Sequence, residues 1–431
     1  MGLEITRKSG TRFPGTPESR EYTIEESLEE LSALAESAGA EVVERCTQSR
    51  PAPDAATFIG SGKVAELSTA ARSLQAGLIV VDQELTPTQQ RNLERATQAK
   101  VLDRTQLILD IFARRARTRE GQIQVELAQL SYLLPRLSGH GVEMSRPGGG
   151  IGTRGPGETK LETDRRRISR RIRKLEEDLE AVRSGRSTQR RQRQAIPLPA
   201  VALVGYTNAG KSTLFNRLTS AGVLVDSRMF ATLDPTVRSV VLPSRRPVLV
   251  TDTVGFIRSL PTTLVKAFRA TLEEVTEAVL LLHVVDVSSQ HASHQTAQVL
   301  EVLAEIGAGS TPQLLVLNKV DLLPEGGADP AAVGRRILGD AAGKFPARAV
   351  AVSALTGEGL DRLLALLDEA LPADPVSRAR LRVPVAEGGL IHLLHERARV
   401  ISREYEGGTC LIEADIPESV LSRLSAFLLR E

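Results

Sequence analysis

The sequence predicts an α/β protein centred on a P-loop-type, doubly wound, mostly parallel sheet. A small α/β unit and a long antiparallel helical hairpin precede the sheet, and a second small α/β unit follows it. Three observations predict this. Between residues 198 and 372 short apolar runs alternate with helical stretches, which is how strands covered on both faces read. Upstream, two stretches with apolar residues at steps of three and four flank a single glycine-rich connection. At 431 residues the chain is longer than one hydrophobic core sustains.

In the N-terminal unit, residues 1–110, Gly77–Asp82 (GLIVVD) reads as a buried parallel strand, with Glu41–Cys46 and Lys100–Leu102 as weaker candidates. Gly60-Ser61-Gly62-Lys63 reads either as a phosphate-binding turn or, since it lacks full phosphate-loop spacing, as a helix start, the second being the stronger reading. Residues 111–197 form the hairpin. Ile123, Leu127, Leu130, Leu134 and Leu137 make one seam, and Ile168, Ile172, Leu175, Leu179 and Val182 make the other. Pro135 should end the first helix. The connection, residues 139–160, interleaves glycines with Arg146, Arg154 and Lys160, a composition suited to a loop that orders against an anionic surface. Arg165, Arg166, Arg167, Arg170, Arg171, Arg173 and Lys174 follow before any acidic compensation at Glu176, so the hairpin should bind structured RNA by backbone charge and shape. Ser184–Pro199 reads as a basic connector.

In the unit 198–372 the expected strands are 200–204, 248–252, 279–286, 313–318 and 349–353. Residues 373–431 should fold as a strand, a helix, a hairpin turning at Gly407-Gly408 and an amphipathic tail.

Composition excludes several classes. With 41% hydrophobic and 25% charged residues the chain is neither disordered nor fibrous, and 3% aromatics with no Trp argues against base-stacking platforms. Cys46 and Cys410 belong to no CxxC or Cys/His cluster, which speaks against a disulfide framework or structural zinc and fits a reducing compartment. His291-x-x-His294 and His392-x-x-His395 lack metal-site companions and read as structural. No signal-like run opens the chain, and the most apolar stretch, Ala278–Val285, is too short to span a bilayer, so a cytoplasmic protein without a membrane anchor is expected. A monomer is expected too, although the sequence itself does not give the oligomeric state.

The chemistry sits at the predicted strand ends. Gly205-Tyr206-Thr207-Asn208-Ala209-Gly210-Lys211-Ser212 matches G-x-x-x-x-G-K-[ST] between a strand and a helix, with Thr213 next. Glycines let the backbone N–H groups turn toward an anion, Lys211 reaches the β- and γ-phosphates, and Ser212 ligates magnesium. Asn318-Lys319-Val320-Asp321 chooses the base: a carboxylate there accepts two hydrogen bonds that guanine offers and adenine does not. Ser353-Ala354-Leu355 fits the loop that gives an N–H to the base oxygen. Asp252-Thr253-Val254-Gly255 predicts magnesium held through water by Asp252 and a γ-phosphate contact from the Gly255 N–H, making Gly255–Leu260 a mobile sensor. Phe230-Ala231-Thr232-Leu233-Asp234 falls where the first switch belongs, with Thr232 as the second hydroxyl on magnesium and Thr236 as its alternative. Lys211, Thr232 and Gly255 are therefore the residues expected to serve hydrolysis.

The arrangement resembles translation-factor-class GTPases. Phe256 stands where Ras-like proteins use a water-orienting Gln, which implies slow intrinsic hydrolysis. In related GTPases with an apolar residue there, a P-loop Asn can help hold potassium, and Asn208 occupies that place. Together with GGGIGTRGPGETKLETDRRR and TPTQQRNLERATQAKVLDRTQLILDIFARRA, the nucleotide motifs resemble the HflX family of ribosome-associated GTPases from about Phe58 to Leu371. The resemblance implies a factor that binds the large ribosomal subunit through its N-terminal region, directs the glycine-rich loop toward the peptidyl-transferase centre and splits stalled ribosomes under stress. The alternative is an RNA-binding assembly factor in which the nucleotide is regulatory or structural.

Overall fold

The computed structural model describes residues 1–5, 23–139, 156–193, 198–219, 229–230, 232–258, 272–323, 329–339, 348–371 and 375–429. Strands β1 (Gly2–Ile5) and β2 (Thr47–Arg50) pair in parallel, as do β3 (Leu78–Val81) and β4 (Lys100–Asp103). Helices α1 (Ile24–Ser37), α2 (Ser61–Ser73), α3 (Pro87–Thr97) and α4 (Arg104–Arg115) complete this unit. Thr23 and Thr86 start α1 and α3 with capping boxes, each satisfying two backbone donors that the helix leaves orphaned. The expected boundary at residue 110 falls inside α4, whose Leu107, Ile108, Ile111 and Phe112 belong to the buried core.

Glu41–Cys46 is not a strand; the pairing segment is the polar Thr47–Arg50, whose half-exposed pattern carries no apolar run to betray it.

The hairpin is formed by α5 (Arg119–Leu133) and α6 (Pro156–Arg193). Ile123, Leu175 and Leu179 are buried between them, with Leu127 and Leu130 packed alongside. A 3-10 turn over Leu134–Gly139 ends the first arm at Pro135, whose ring cannot continue the helical ladder. Helix α6 is longer than expected at both ends, starting at Pro156 and running through the supposed connector to Arg193. Proline suits a first helical turn, where its missing N–H has no partner to lose. At 38 residues the helix is about 57 Å long.

The central sheet has six strands in the order β10-β9-β8-β5-β7-β6. They are β5 (Ala200–Gly205), β6 (Thr236–Val241), β7 (Pro247–Asp252), β8 (Leu280–Asp286), β9 (Gln313–Asn318) and β10 (Ala349–Ala351). All pairs are parallel except β6 with β7. The edge strand β6 escaped the sequence reading because, Val240 apart, its residues are partly or fully exposed. Helices α7 (Lys211–Thr219), α8 (Ala292–Glu305), α9 (Pro330–Leu338) and α10 (Leu360–Ala370) flank the sheet. Register aligns Leu203 with Asp252, Gly205 with Val284 and Asp286 with Asn318, so every nucleotide motif reaches one edge.

The last unit is an antiparallel sheet, β11 (Val376–Pro384), β13 (Thr409–Pro417) and β12 (Arg399–Glu406), covered by α11 (Gly388–Arg397). Gly407 and Gly408, both at positive φ, make its hairpin turn. Cys46 and Cys410 are free and buried, and among the described residues no helix is long and apolar enough to cross a membrane.

Candidate active site

The loop after β5 turns where only glycine fits. Gly205 (φ +149°) would place a Cβ 2.2 Å from Val284 O, and Gly210 (φ +94°) would place one 2.2 Å from Asn318 Nδ2. Between them Asn208 takes a left-handed backbone (φ 61°) and is exposed. Thr207 N donates to Phe256 O at 2.7 Å and Phe256 N to Gly205 O at 3.1 Å, so the loop is laced to the segment after Gly255. Lys211 is buried and donates to Gly205 O at 3.0 Å and Tyr206 O at 2.7 Å. Burial pushes its ammonium down to about 8, against the pull of Asp252. The only full charge in the loop is thus a buried ammonium held by carbonyl partners, an arrangement that favours an arriving anion.

Ser212 Oγ lies 2.8 Å from both Thr232 Oγ1 and Asp252 Oδ2, and Thr232 Oγ1 donates to Asp252 Oδ2 at 2.7 Å. Burial raises the Asp252 carboxyl, partly opposed by these two hydroxyls and by Lys211. Asp252 Oδ1 is buried without a partner. Two hydroxyls and a carboxylate with a spare buried oxygen form a hard, oxygen-only set with open positions, which fits magnesium. Of the two candidate threonines, the structure brings Thr232 here, while Thr236 begins β6 as the backbone partner of Asp252.

At the other end Asn318 is 2% exposed; its Nδ2 donates to Ala209 O at 2.8 Å and its Oδ1 accepts from Ala354 N at 2.9 Å. The Ala354 N–H is thus taken up by Asn318. Lys319 (φ 67°) pairs through Nζ with Asp286 at 2.6 Å, Val320 begins a 3-10 turn, and Asp321 is exposed in it. Ser353 is fully buried and Leu355 is 69% exposed. Thr213 is half-buried in the first turn of α7.

Five other residues of the switch and Asp252–Gly255 segments make contacts of their own within the protein. Thr253 Oγ1 donates to Leu203 O at 2.5 Å, pinning β7 to β5. Val254 packs at the edge of the core that Leu233 shares with the N-terminal unit, and Phe230 meets Phe112 edge to face with centroids 4.6 Å apart. Asp234 accepts from Arg117 N and Thr118 N, each at 2.9 Å, and from the Thr118 hydroxyl. It thereby braces the N-terminus of α5, where a carboxylate is favoured by the unpaired donors and the helix dipole. The partners of Asp234 and Phe230 lie more than a hundred residues away in sequence, where no local pattern announces them. Ala231 lies outside the described residues.

Sequence reasoning missed a charge cluster between the units. Arg258, three residues past Gly255, reaches Asp82 at 3.3 Å, Glu30 at 3.5 Å and the Ser27 hydroxyl. Arg104 joins Asp82 at 2.9 Å and Glu30. The Tyr206 hydroxyl of the P-loop donates to Glu30 and accepts from Arg258 N at 2.9 Å. Opposite charges taken out of water are tolerable only when paired in this way. Phe256 is 3% exposed in the shared core, so its ring is committed to packing.

On the hairpin, Arg165, Arg170, Arg173 and Lys174 are exposed without an ion pair among the described residues. Arg171 is clamped by Glu126 at 2.6 Å, Arg166 by Glu162 at 2.5 Å, and Arg167 lies 3.9 Å from Asp164. Lys160 belongs to α6 but its side chain lies outside the described residues, as do Arg146 and Arg154 entirely. His291 pairs with Glu26 at 3.3 Å and His395 lies 3.1 Å from Arg403; among the described residues no group of three or more His, Cys, Asp or Glu could hold a metal.

A P-loop motif, a hydroxyl-carboxylate cluster and the Asn318-Lys319-Val320-Asp321 segment meet at one end of the sheet, the arrangement of a GTP-hydrolysing enzyme of the P-loop class. Family models described as GTP-binding GTPase N-terminal, GTP-binding GTPase Middle Region and 50S ribosome-binding GTPase match residues 25–113, 115–193 and 200–319. The chain is 47% identical over 408 residues to the GTPase HflX of Caldanaerobacter subterraneus subsp. tengcongensis, covering 94% of this chain and 91% of that one. To the GTPase HflX of Escherichia coli it is 45% identical over 394 residues, covering 91% and 90%. A GTP-binding protein of Sulfolobus solfataricus, solved in complex with GDP, is similar at 25% identity with a TM-score of 0.43, over 79% of this chain and 94% of that one. The chain belongs to the HflX GTPase family.

Proposed function

We propose that the protein is a GTP-driven switch that docks its basic hairpin on the large ribosomal subunit and splits stalled ribosomes, with hydrolysis permitting release. The observation that carries this is Asp234: two residues from Thr232 in the first switch, it holds the start of the hairpin helix α5. A phosphate that fixes Thr232 thereby fixes the root of the RNA-binding arm. Arg165, Arg170, Arg173 and Lys174 supply the free positive charge for rRNA.

For the reaction, Lys211 exchanges its carbonyl partners for the β- and γ-phosphates, and the P-loop N–H groups cradle the oxygens. Ser212, Thr232 and, through water, Asp252 would hold magnesium, which would neutralise charge on the phosphates. The Gly255 N–H meets the γ-phosphate, and Asn318 with Lys319, Asp321 and the loop Ser353–Leu355 holds guanine. Because Phe256 is packed in the core, the attacking water is oriented by other groups, and unstimulated turnover is slow. Potassium beside Asn208 would add positive charge there, so exchanging potassium for sodium should slow hydrolysis severalfold.

The test is light scattering of intact ribosomes mixed with the protein and a non-hydrolysable GTP analogue. Scattering should fall with the analogue and not with GDP; no fall with either returns the reading to an assembly factor.

A further inference from the structure

The base-reading loop has a second tether that no nucleotide motif contains. Arg217 lies near the C-terminal end of α7, the helix whose first turn carries Lys211 and Ser212. Its Nε donates to Ala354 O at 3.3 Å and its Nη2 to Leu355 O at 2.5 Å. From the inner side Asn318 holds the same loop through Ala354 N, and is itself fastened to the P-loop at Ala209 O. Internally the loop is closed by Ser353 N to Glu358 O at 3.0 Å and Gly357 N to Ser353 O at 2.8 Å. Its outer edge has no core to rest on, because Leu355 is 69% exposed. Arg217 therefore provides the hold on that edge, and it does so from the helix that grips the phosphates.

We propose that Arg217 is a positioning residue for guanine recognition, a brace that makes the base-reading loop and the phosphate-binding helix move as one body. Two carbonyls on successive residues need a planar fork with separated donors; a lysine ammonium serves one of them at a time. With the brace in place, a shift of α7 on losing phosphate contacts is passed to the loop around the base. Without it, the loop opens independently and the base escapes first. The proposal rests on the guanine-nucleotide reading of the site.

The test measures, for the full-length protein and for R217A and R217K, release of a fluorescent GDP by stopped flow, KM and kcat for GTP, and the preference for GDP over xanthosine diphosphate. A charged hydrogen-bonded fork on a partly exposed loop contributes enough that R217A should release GDP about fivefold faster. KM should rise more than kcat falls, the base preference should narrow, and R217K should lie between R217A and wild type. GDP release from R217A at the wild-type rate overturns the proposal. If R217A does not fold, R217K with a native melting temperature decides: faster release supports the brace and unchanged release overturns it. Failure of the wild type to bind GDP would instead sink the reading of the site.

Discussion

The two ends of the nucleotide site are built differently. At the phosphate end, Tyr206, Phe230, Leu233, Phe256 and Ile257 share one core with α1, α4 and α5 of the preceding units, and Arg258 and Asp234 bond across the boundary. At the base end, among the described residues, Asn318, Ala354 and Arg217 bond within the sheet unit, above a core formed by its own strands and helices. On the proposed function, the presence of a γ-phosphate would be felt in the N-terminal unit and the hairpin. The identity of the base stays a local matter. A sensor has to touch what it controls, whereas a selector needs only rigidity.

Substitutions can break each end separately. The largest effect should come from Lys211→Ala, which removes the buried cation of the proposed phosphate site; affinity for GTP should fall about 100-fold or more, read by isothermal titration. Next, Arg258→Met leaves Glu30 and Asp82 sharing Arg104 alone, and should cost on the order of 3 kcal/mol in urea unfolding while the base preference is unchanged. Asp234→Ala removes the brace on α5 at about 1 kcal/mol, also by urea unfolding, and should weaken the dependence of RNA binding on nucleotide more than RNA binding itself.

The smallest effect concerns pH. His283, buried in β8 against Gln313, is driven down to about 4 by burial, so it is neutral in the fold and protonated more readily when unfolded. The unfolded chain then binds the extra proton between the ordinary 6.5 and about 4, and stability should decline as pH falls through that window. His283→Leu should flatten that decline in pH-dependent melting curves.

The same contrast explains what could be read in the sequence. The base end and the P-loop are contiguous motifs at strand ends, and the strands that carry them, being buried on both faces, read as unbroken apolar runs. The expected neighbourhood of Thr232 is legible because its hydroxyl sits among motif residues, Ser212 and Asp252. Where Asp234 and Phe230 turn is not legible, because proximity to a switch in sequence does not say which way a side chain points. Their partners, Thr118 and Phe112, lie over a hundred residues away. Glu30, Asp82 and Arg104 gave no signal at all, since ordinary surface charges and a buried cluster look alike in one dimension. The edge strand β6 was missed for a related reason, its exposure erasing the apolar pattern.

The central claim is that the phosphate end commands the hairpin. Co-sedimentation with purified large ribosomal subunits, in a GTP analogue and in GDP, tests it most directly. The account predicts binding about tenfold tighter with the analogue, within the usual range of coupling between two sites. Equal binding in the two nucleotides would contradict it.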